Sequence, residues 1–398
     1  MTRLAALLAL AVCAVSSACG GAFDHAQETR LPADFSGSGP GSLDDARTLT
    51  GVESRLADAT SLSARITYTS TSGIDDSHPQ VTAAVFVPRG TPPQGGWPIV
   101  AFGHPPTGIA HDCAPSRSPT LMGSSTAVAD LVSAGYVVTV SDYQGLGLDN
   151  TYHPFLDSTT VGFNLVDSVF ATRRLVPTTS VDWIAYGVSQ GGQAAWAADE
   201  LAENAGQGLH LAGAVSVSPA ADIDGLADAA INGRLTTAQK LALQAYLASL
   251  KSEYRDFALD DYRRGMVRDK WDAFSACEES AATERTRLAD HLGADDLRPA
   301  SPAAAQTLRG YLQKTNLPQG PTSAPMLVMY GGRDPLIPPD WTERAVRRAC
   351  MMGDAIELDL QPDKASTDID VSSAFAWMRA RLDGASAHDD CPSLKATI

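Results

Sequence analysis

The chain has 398 residues, of which 44% are hydrophobic and 19% charged, with 33 Gly and 24 Pro. That balance is globular and excludes a collagenous, coiled-coil or disordered chain. A net charge of −16 and a pI of about 4.8 argue against a nucleic-acid-binding surface.

Arg3 and the apolar run Leu4–Val15 read as an export signal over residues 1–18, because a membrane span needs about 20 apolar residues. Small residues ahead of Cys19-Gly20-Gly21 leave two alternatives: lipidation of Cys19, which attaches the protein to a membrane, or plain signal cleavage. Both place the protein outside the cytoplasm, secreted or anchored at the cell surface. Residues 19–45, rich in Gly, Ser and Pro, read as a flexible linker. Of the six cysteines, Cys13 leaves with the signal and Cys19 is terminal. Cys113, Cys277, Cys350 and Cys391 remain, a set that allows three disulfide pairings. No Cys/His spacing suggests zinc, so the reading includes no metal and no cofactor.

Eight strands follow in chain order. Arg65–Thr71 and Thr82–Pro88 form an opening pair. Ile99–Gly103, Tyr136–Asp142, Val181–Gly187, Leu211–Val217, Met326–Tyr330 and Ile356–Gln361 are short and almost wholly apolar. Continuous apolar runs suit a parallel sheet buried on both faces. Thr126–Ala134, Thr160–Leu175, Gln190–Ala205 and Val371–Leu382 carry helical periodicity between them, which predicts an α/β fold with a mainly parallel sheet. Residues 222–316 break the alternation with helix signals alone, and read as a helical cap. The core is then 46–221 with 317–398.

Gly187-Val188-Ser189-Gln190-Gly191 lies where a strand turns into a helix. Flanking glycines permit that tight turn, which lifts the Ser189 hydroxyl above the sheet at a helix N-terminus. A serine hydroxyl attacks only when a base takes its proton and an acid orients the base. Asp334, just past a late strand, is the acid. The loop where the base belongs, Pro362–Asp368, has no His. His388 near Cys391 and Lys364 are the alternatives that the downstream sequence offers.

Several segments together resemble the secretory lipases of fungi and actinobacteria, an α/β-hydrolase family. They are Gly103-His104 with Thr107-Gly108, Asp112–Ser116, Ser141–Gly147, His153–Leu156, Gly187–Gly192 and Tyr330–Pro338. The resemblance implies an α/β-hydrolase fold with a cap acting as a lid, and hydrolysis of acylglycerols or short esters without a metal. It implies Ser189 as nucleophile, Asp334 as acid, and disulfides Cys113–Cys277 and Cys350–Cys391. Two places depart from the pattern. Ser366 stands where the family has its His. The oxyanion loop reads His104-Pro105-Pro106-Thr107-Gly108, and proline has no N–H to give. The Gln190 N–H remains as an oxyanion donor. Two functions stay open: a weakened lipase or carboxylesterase, and a catalytically inactive lipid-binding relative. Oligomeric state is not readable from the sequence.

Overall fold

A computed structural model describes residues 28–395. The export signal and Cys19 lie outside the described residues.

The described chain opens with β1 (Leu43–Thr48), α1 (Ser54–Ala59), β2 (Thr60–Thr69), β3 (Gln80–Pro88) and β4 (Trp97–Gly103). It continues with α2 (Ser125–Ser133), β5 (Val137–Ser141), α3 (Ser158–Leu175), β6 (Thr179–Val188), α4 (Gln190–Ala205) and β7 (His210–Val217). Strand order across the sheet is β1-β2-β3-β5-β4-β6-β7, then β8 (Met326–Gly331) and β9 (Ile356–Gln361). The β1/β2, β2/β3 and β3/β5 pairs are antiparallel, and the rest are parallel.

The sheet has nine strands, one more than the eight read from the sequence. The extra strand, β1, reads Leu-Asp-Asp-Ala-Arg-Thr and buries only Leu43 and Ala46. An edge strand needs no apolar run, so its sequence carries little strand signal. The linker reading also changes. Leu31 N–H donates to Ala46 O at 2.8 Å, Asp34 pairs with Arg174 at 2.9 Å, and Leu31 and Phe35 pack on the core. The stretch from residue 28 onward is therefore seated on the domain.

Both sheet faces are buried, as the continuous apolar strands require. In β4, Ile99 and Ala101 face one layer while Val100 and Phe102 face the other, the two-residue period of a strand. The first layer holds α3, α4 and α11 (Pro339–Met352), the second α1, α2 and α12 (Ser372–Leu382).

Between β7 and β8 the chain is helical: α5 (Gly225–Ile231), α6 (Thr237–Glu253), α7 (Gly265–Asp269), α8 (Trp271–Phe274), α9 (Glu278–Asp290) and α10 (Pro302–Thr315). These helices bury Leu243, Leu247, Phe274, Leu308 and Leu312 in their own cluster, joined by Phe155, Ile337 and Trp341 of the core. Cys113–Cys277 ties the loop after β4 to the start of α9. Cys350–Cys391 ties α11 to α13 (Cys391–Lys395).

Candidate active site

β6 runs into α4 through Ser189 alone. Its backbone sits at φ +57° and ψ −114°, a region that a residue with a Cβ rarely occupies and that costs of order 1–3 kcal/mol. The glycines around it answer to close approach. A Cβ on Gly191 would lie 1.9 Å from Gly103 O, and one on Gly187 would lie 1.9 Å from Gly191 O. The first turn of α4 thus rests directly on the ends of β4 and β6. Ser189 N–H donates to Val217 O at 2.8 Å, which fixes the turn against β7. Ser189 is 8% exposed.

Asp334 follows β8. Its Oδ1 accepts the N–H groups of Leu336 at 2.8 Å and Ile337 at 3.1 Å. Its Oδ2 is buried and has no hydrogen-bond partner. A buried carboxylate oxygen left open in this way is unusual. The loop after β9 lies across the acid loop. Arg333 N–H donates to Lys364 O at 2.9 Å, and a Cβ on Gly332 would meet Pro362 O at 2.4 Å. Ser366, two residues beyond Lys364, is half-buried there. Ser189, Asp334 and Ser366 therefore sit beyond the C-terminal ends of β6, β8 and β9, on one edge of the parallel sheet.

Of the two downstream alternatives, only Lys364 lies on that edge. Asp390 N–H donates to Ile356 O at 2.8 Å, which pins the tail beside the first residue of β9. His388, 70% exposed and paired with Asp390, is thus at the opposite end of a strand roughly 17 Å long. The Lys364 side chain is exposed.

Gln190, the first residue of α4, is buried. Its side-chain Nε2 lies 3.2 Å from His153 Nε2. His153 Nδ1 is 2.9 Å from the Gln144 carbonyl, so Nδ1 carries the proton and Nε2 accepts from Gln190. Burial holds this imidazole at a pKa of about 4, hence neutral. In the sequence His153 stands only at the start of the family-like segment His153–Leu156. Its Pro154 neighbour gave the one available hint, since the partner lies 37 residues away. Ser249 of α6 donates its hydroxyl to His153 O at 2.7 Å, linking this brace to the helical segment.

The loop after β4 is also packed in place. The His104 ring stacks on Tyr143 with centroids 4.2 Å apart, and Nδ1–H donates to Pro105 O at 2.7 Å. Desolvation lowers its pKa to about 4. Gly108, at φ +127°, rests against the Cys113 sulfur of the disulfide. On the far side, Thr236 caps α6 and donates its hydroxyl to Pro335 O at 2.6 Å, while Gln239 Nε2 donates to Leu336 O at 3.2 Å. One capping box therefore grips the acid loop. Among the described residues no group of three or more His, Cys, Asp or Glu could hold a metal ion.

A model of the secretory lipase family matches residues 119–390. The fold is similar to Candida antarctica lipase A in its closed state, with a TM-score of 0.69 and 14% identity over 90% of this chain and 86% of that one. It is also similar to the rice cell wall degrading esterase LipA from Xanthomonas oryzae, with a TM-score of 0.66 and 19% identity over 90% and 99%. No match was found among curated proteins.

Proposed function

The chain belongs to the secretory lipase family, and from that premise we propose that it is an ester hydrolase working through an acyl-enzyme at Ser189. The substrates are acylglycerols or shorter carboxylic esters. Ser189 Oγ bonds to the acyl carbon, the alcohol leaves, and water then releases the acid. Asp334 is the acid of the site, and the Gln190 N–H is one oxyanion donor. The observation that carries this reading is the left-handed backbone of Ser189 at the strand–helix junction. Strain of that kind, backed by glycines packed to contact distance, presents a hydroxyl to a reacting carbonyl.

Turnover is slow in this reading. Ser366 occupies the base position, and serine cannot take a proton at neutral pH. Loss of one triad member costs ~10⁴–10⁶ in kcat and leaves ~10³–10⁴ over water. The same facts favour a second reading, a lipid-binding relative without catalysis: the open Oδ2 of Asp334, Ser366, and the Pro105-Pro106 pair. Hydrolysis of p-nitrophenyl butyrate and palmitate by wild type and Ser189→Ala separates the two. A rate above that of the variant establishes the acyl-enzyme. Equal rates, with retained fatty-acid binding, establish the second reading.

The disulfides Cys113–Cys277 and Cys350–Cys391 suit an oxidising, extracytoplasmic compartment. The export signal and lipidation at Cys19 extend that proposal to surface attachment, which a mass measurement on the isolated protein tests.

A further inference from the structure

The helical segment joins the rest of the chain at two crossings that lie side by side. Leu317 N–H donates to Ala221 O at 2.7 Å, and Ile223 N–H donates to Asn316 Oδ1 at 3.0 Å. Residues 319–324 then carry the chain from α10 toward β8 without helix or strand, and Gln319, Pro321 and Ser323 are exposed.

Prolines at 318, 321 and 325 have no N–H. Every N–H that residues 319–324 do have goes to a carboxyl group. Gln319 and Gly320 donate to Glu200 Oε2 at 3.0 and 3.1 Å. Thr322 donates to Asp354 Oδ1 at 2.9 Å. Ser323 and Ala324 donate to Asp199 Oδ1 at 2.9 and 2.8 Å. Asp199 and Glu200 belong to α4, the helix that begins just after Ser189, and Asp354 belongs to the turn between α11 and β9. Asp199 and Asp354 are buried, and Glu200 is half-buried.

Three acids brought together in this way resist holding three charges. The amides favour the ionised forms, but burial outweighs them at Asp199 and Glu200, and repulsion from Asp354 adds to it. The Glu200 carboxyl is raised to about 7. The charges on neighbouring elements are engaged or exposed: Arg348 of α11 pairs with Asp222, Lys314 of α10 lies over the Tyr311 ring, and Glu203 of α4 is exposed. The Gln319 side chain bonds the neutral hydroxyls of Ser158 and Thr159.

Burial sets the direction of the pH response. Lifting residues 319–324 off α4 returns water to Glu200, whose ordinary value is 4.5. Below that value the group is protonated in both arrangements. From there up to about 7 only the released arrangement ionises freely, so attachment weakens as pH rises and levels off above 7.

We propose that residues 319–324 are a pH-sensitive strap on the exit of the helical segment, held down in acid by the three carboxyl groups and released toward neutral pH as Glu200 ionises. Release leaves that exit fastened at residues 316 and 317, and α10 gains freedom over the core. The strap acts independently of the ester chemistry at Ser189.

Hydrogen exchange of the intact protein at pH 5 and pH 7.5, corrected for intrinsic rates and read by mass spectrometry, tests the strap. Protection of the 319–324 amides should fall ~10- to 100-fold more than that of β6 and β7, with α10 moving in the same direction. Glu200→Gln keeps the shape and an acceptor oxygen but cannot ionise, so it should abolish this pH dependence and keep the acid-level protection at pH 7.5. Ser323→Ala removes a hydroxyl that donates to Asp199 O at 2.7 Å, and should loosen the strap equally at both pH values. Equal strap protection at both pH values in the wild type overturns the proposal. So does a fall shared by every strand, which is global loss of stability. A pH dependence that survives Glu200→Gln also overturns it, since another group then carries the switch. A strap that loosens while α10 stays unchanged overturns its hold on the helical segment.

Discussion

Ser366→His is the perturbation that tests the base position most directly. The structure supplies its geometry. β6 and β8 are separated by β7, so their ends lie about 10 Å apart. An imidazole hydrogen-bonded at both nitrogens, with each bond about 2.8 Å, spans most of that gap. Its Nδ1–H would meet Asp334 Oδ2, which has no partner now, and Nε2 would face Ser189. The loop is already fastened next to residue 366 through the Arg333–Lys364 backbone hydrogen bond, so little of it must reorganise. Full recovery of a triad is worth ~10⁴–10⁶. A graft without repacking should return a small part of that, at least tenfold in kcat/KM, or about 1.4 kcal/mol. The gain should grow as pH rises through about 6.5, because only the neutral ring accepts a proton. Asp334→Asn should erase the gain in the Ser366→His background and cost little in the wild type, a coupling that a double-mutant cycle reads directly. The assay is initial-rate hydrolysis of p-nitrophenyl butyrate. A folded Ser366→His protein with no gain at any pH would refute the placement of the base at this loop.

Other outcomes follow from packing and burial. Burial of the Glu200 carboxyl raises its pKa to about 7, so folding favours the protonated form, and its contribution to stability is lost as pH rises from about 4.5 through 7. Glu200→Gln should therefore be more stable than wild type at pH 8 by about 1–3 kcal/mol and nearly equal at pH 4; identical pH slopes in urea titrations would contradict this. Gly191→Ala drives a methyl into the Gly103 carbonyl and should destabilise by at least about 3 kcal/mol, seen as a collapse in Tm and soluble yield. Thr236→Ala removes both the α6 cap and the bond to Pro335 O. It should cost about 1–2 kcal/mol and speed hydrogen exchange at Leu336 and Ile337, whose amides Asp334 holds. Unchanged exchange there would mean that the capping box does not brace the acid loop.

Features set by local chemistry were legible in the sequence. The parallel strands announce themselves as apolar runs because both sheet faces are covered. The elbow announces itself because its glycines are demanded by contacts that no Cβ can survive. The position of Asp334 just past the strand β8 was legible as well. What stayed hidden depends on distant partners. β1 has an ordinary polar sequence and is held by its pairing with β2. The stretch from residue 28 looks like a linker by composition, and only the exposed edge of the core shows why Leu31 and Phe35 settle there. The His153–Gln190 contact joins the loop after β5 to the first turn of α4, and no local pattern specifies it.

The strain at Ser189 bears on the choice between catalysis and passive lipid binding. An apolar pocket needs area and shape, neither of which requires a serine at φ +57° or a helix turn pressed onto two strand ends. Holding that backbone costs of order 1–3 kcal/mol, a sizeable fraction of the 5–15 kcal/mol that keeps a typical domain folded. Relaxing it would cost lipid binding nothing and make the fold more stable. The chain instead retains the strained turn, the amide of Gln190 at the helix start, and an acid with one oxygen open. Those are the parts that the proposed acyl-enzyme would use, and they support turnover, however slow, over binding alone. Ser189→Gly offers the counter-test: it relieves the strain and removes the hydroxyl together. If Ser189 is held for chemistry, this variant should gain stability over Ser189→Ala and lose all Ser189-dependent hydrolysis. If it gains nothing, the turn is not strained in solution, and this argument for catalysis falls.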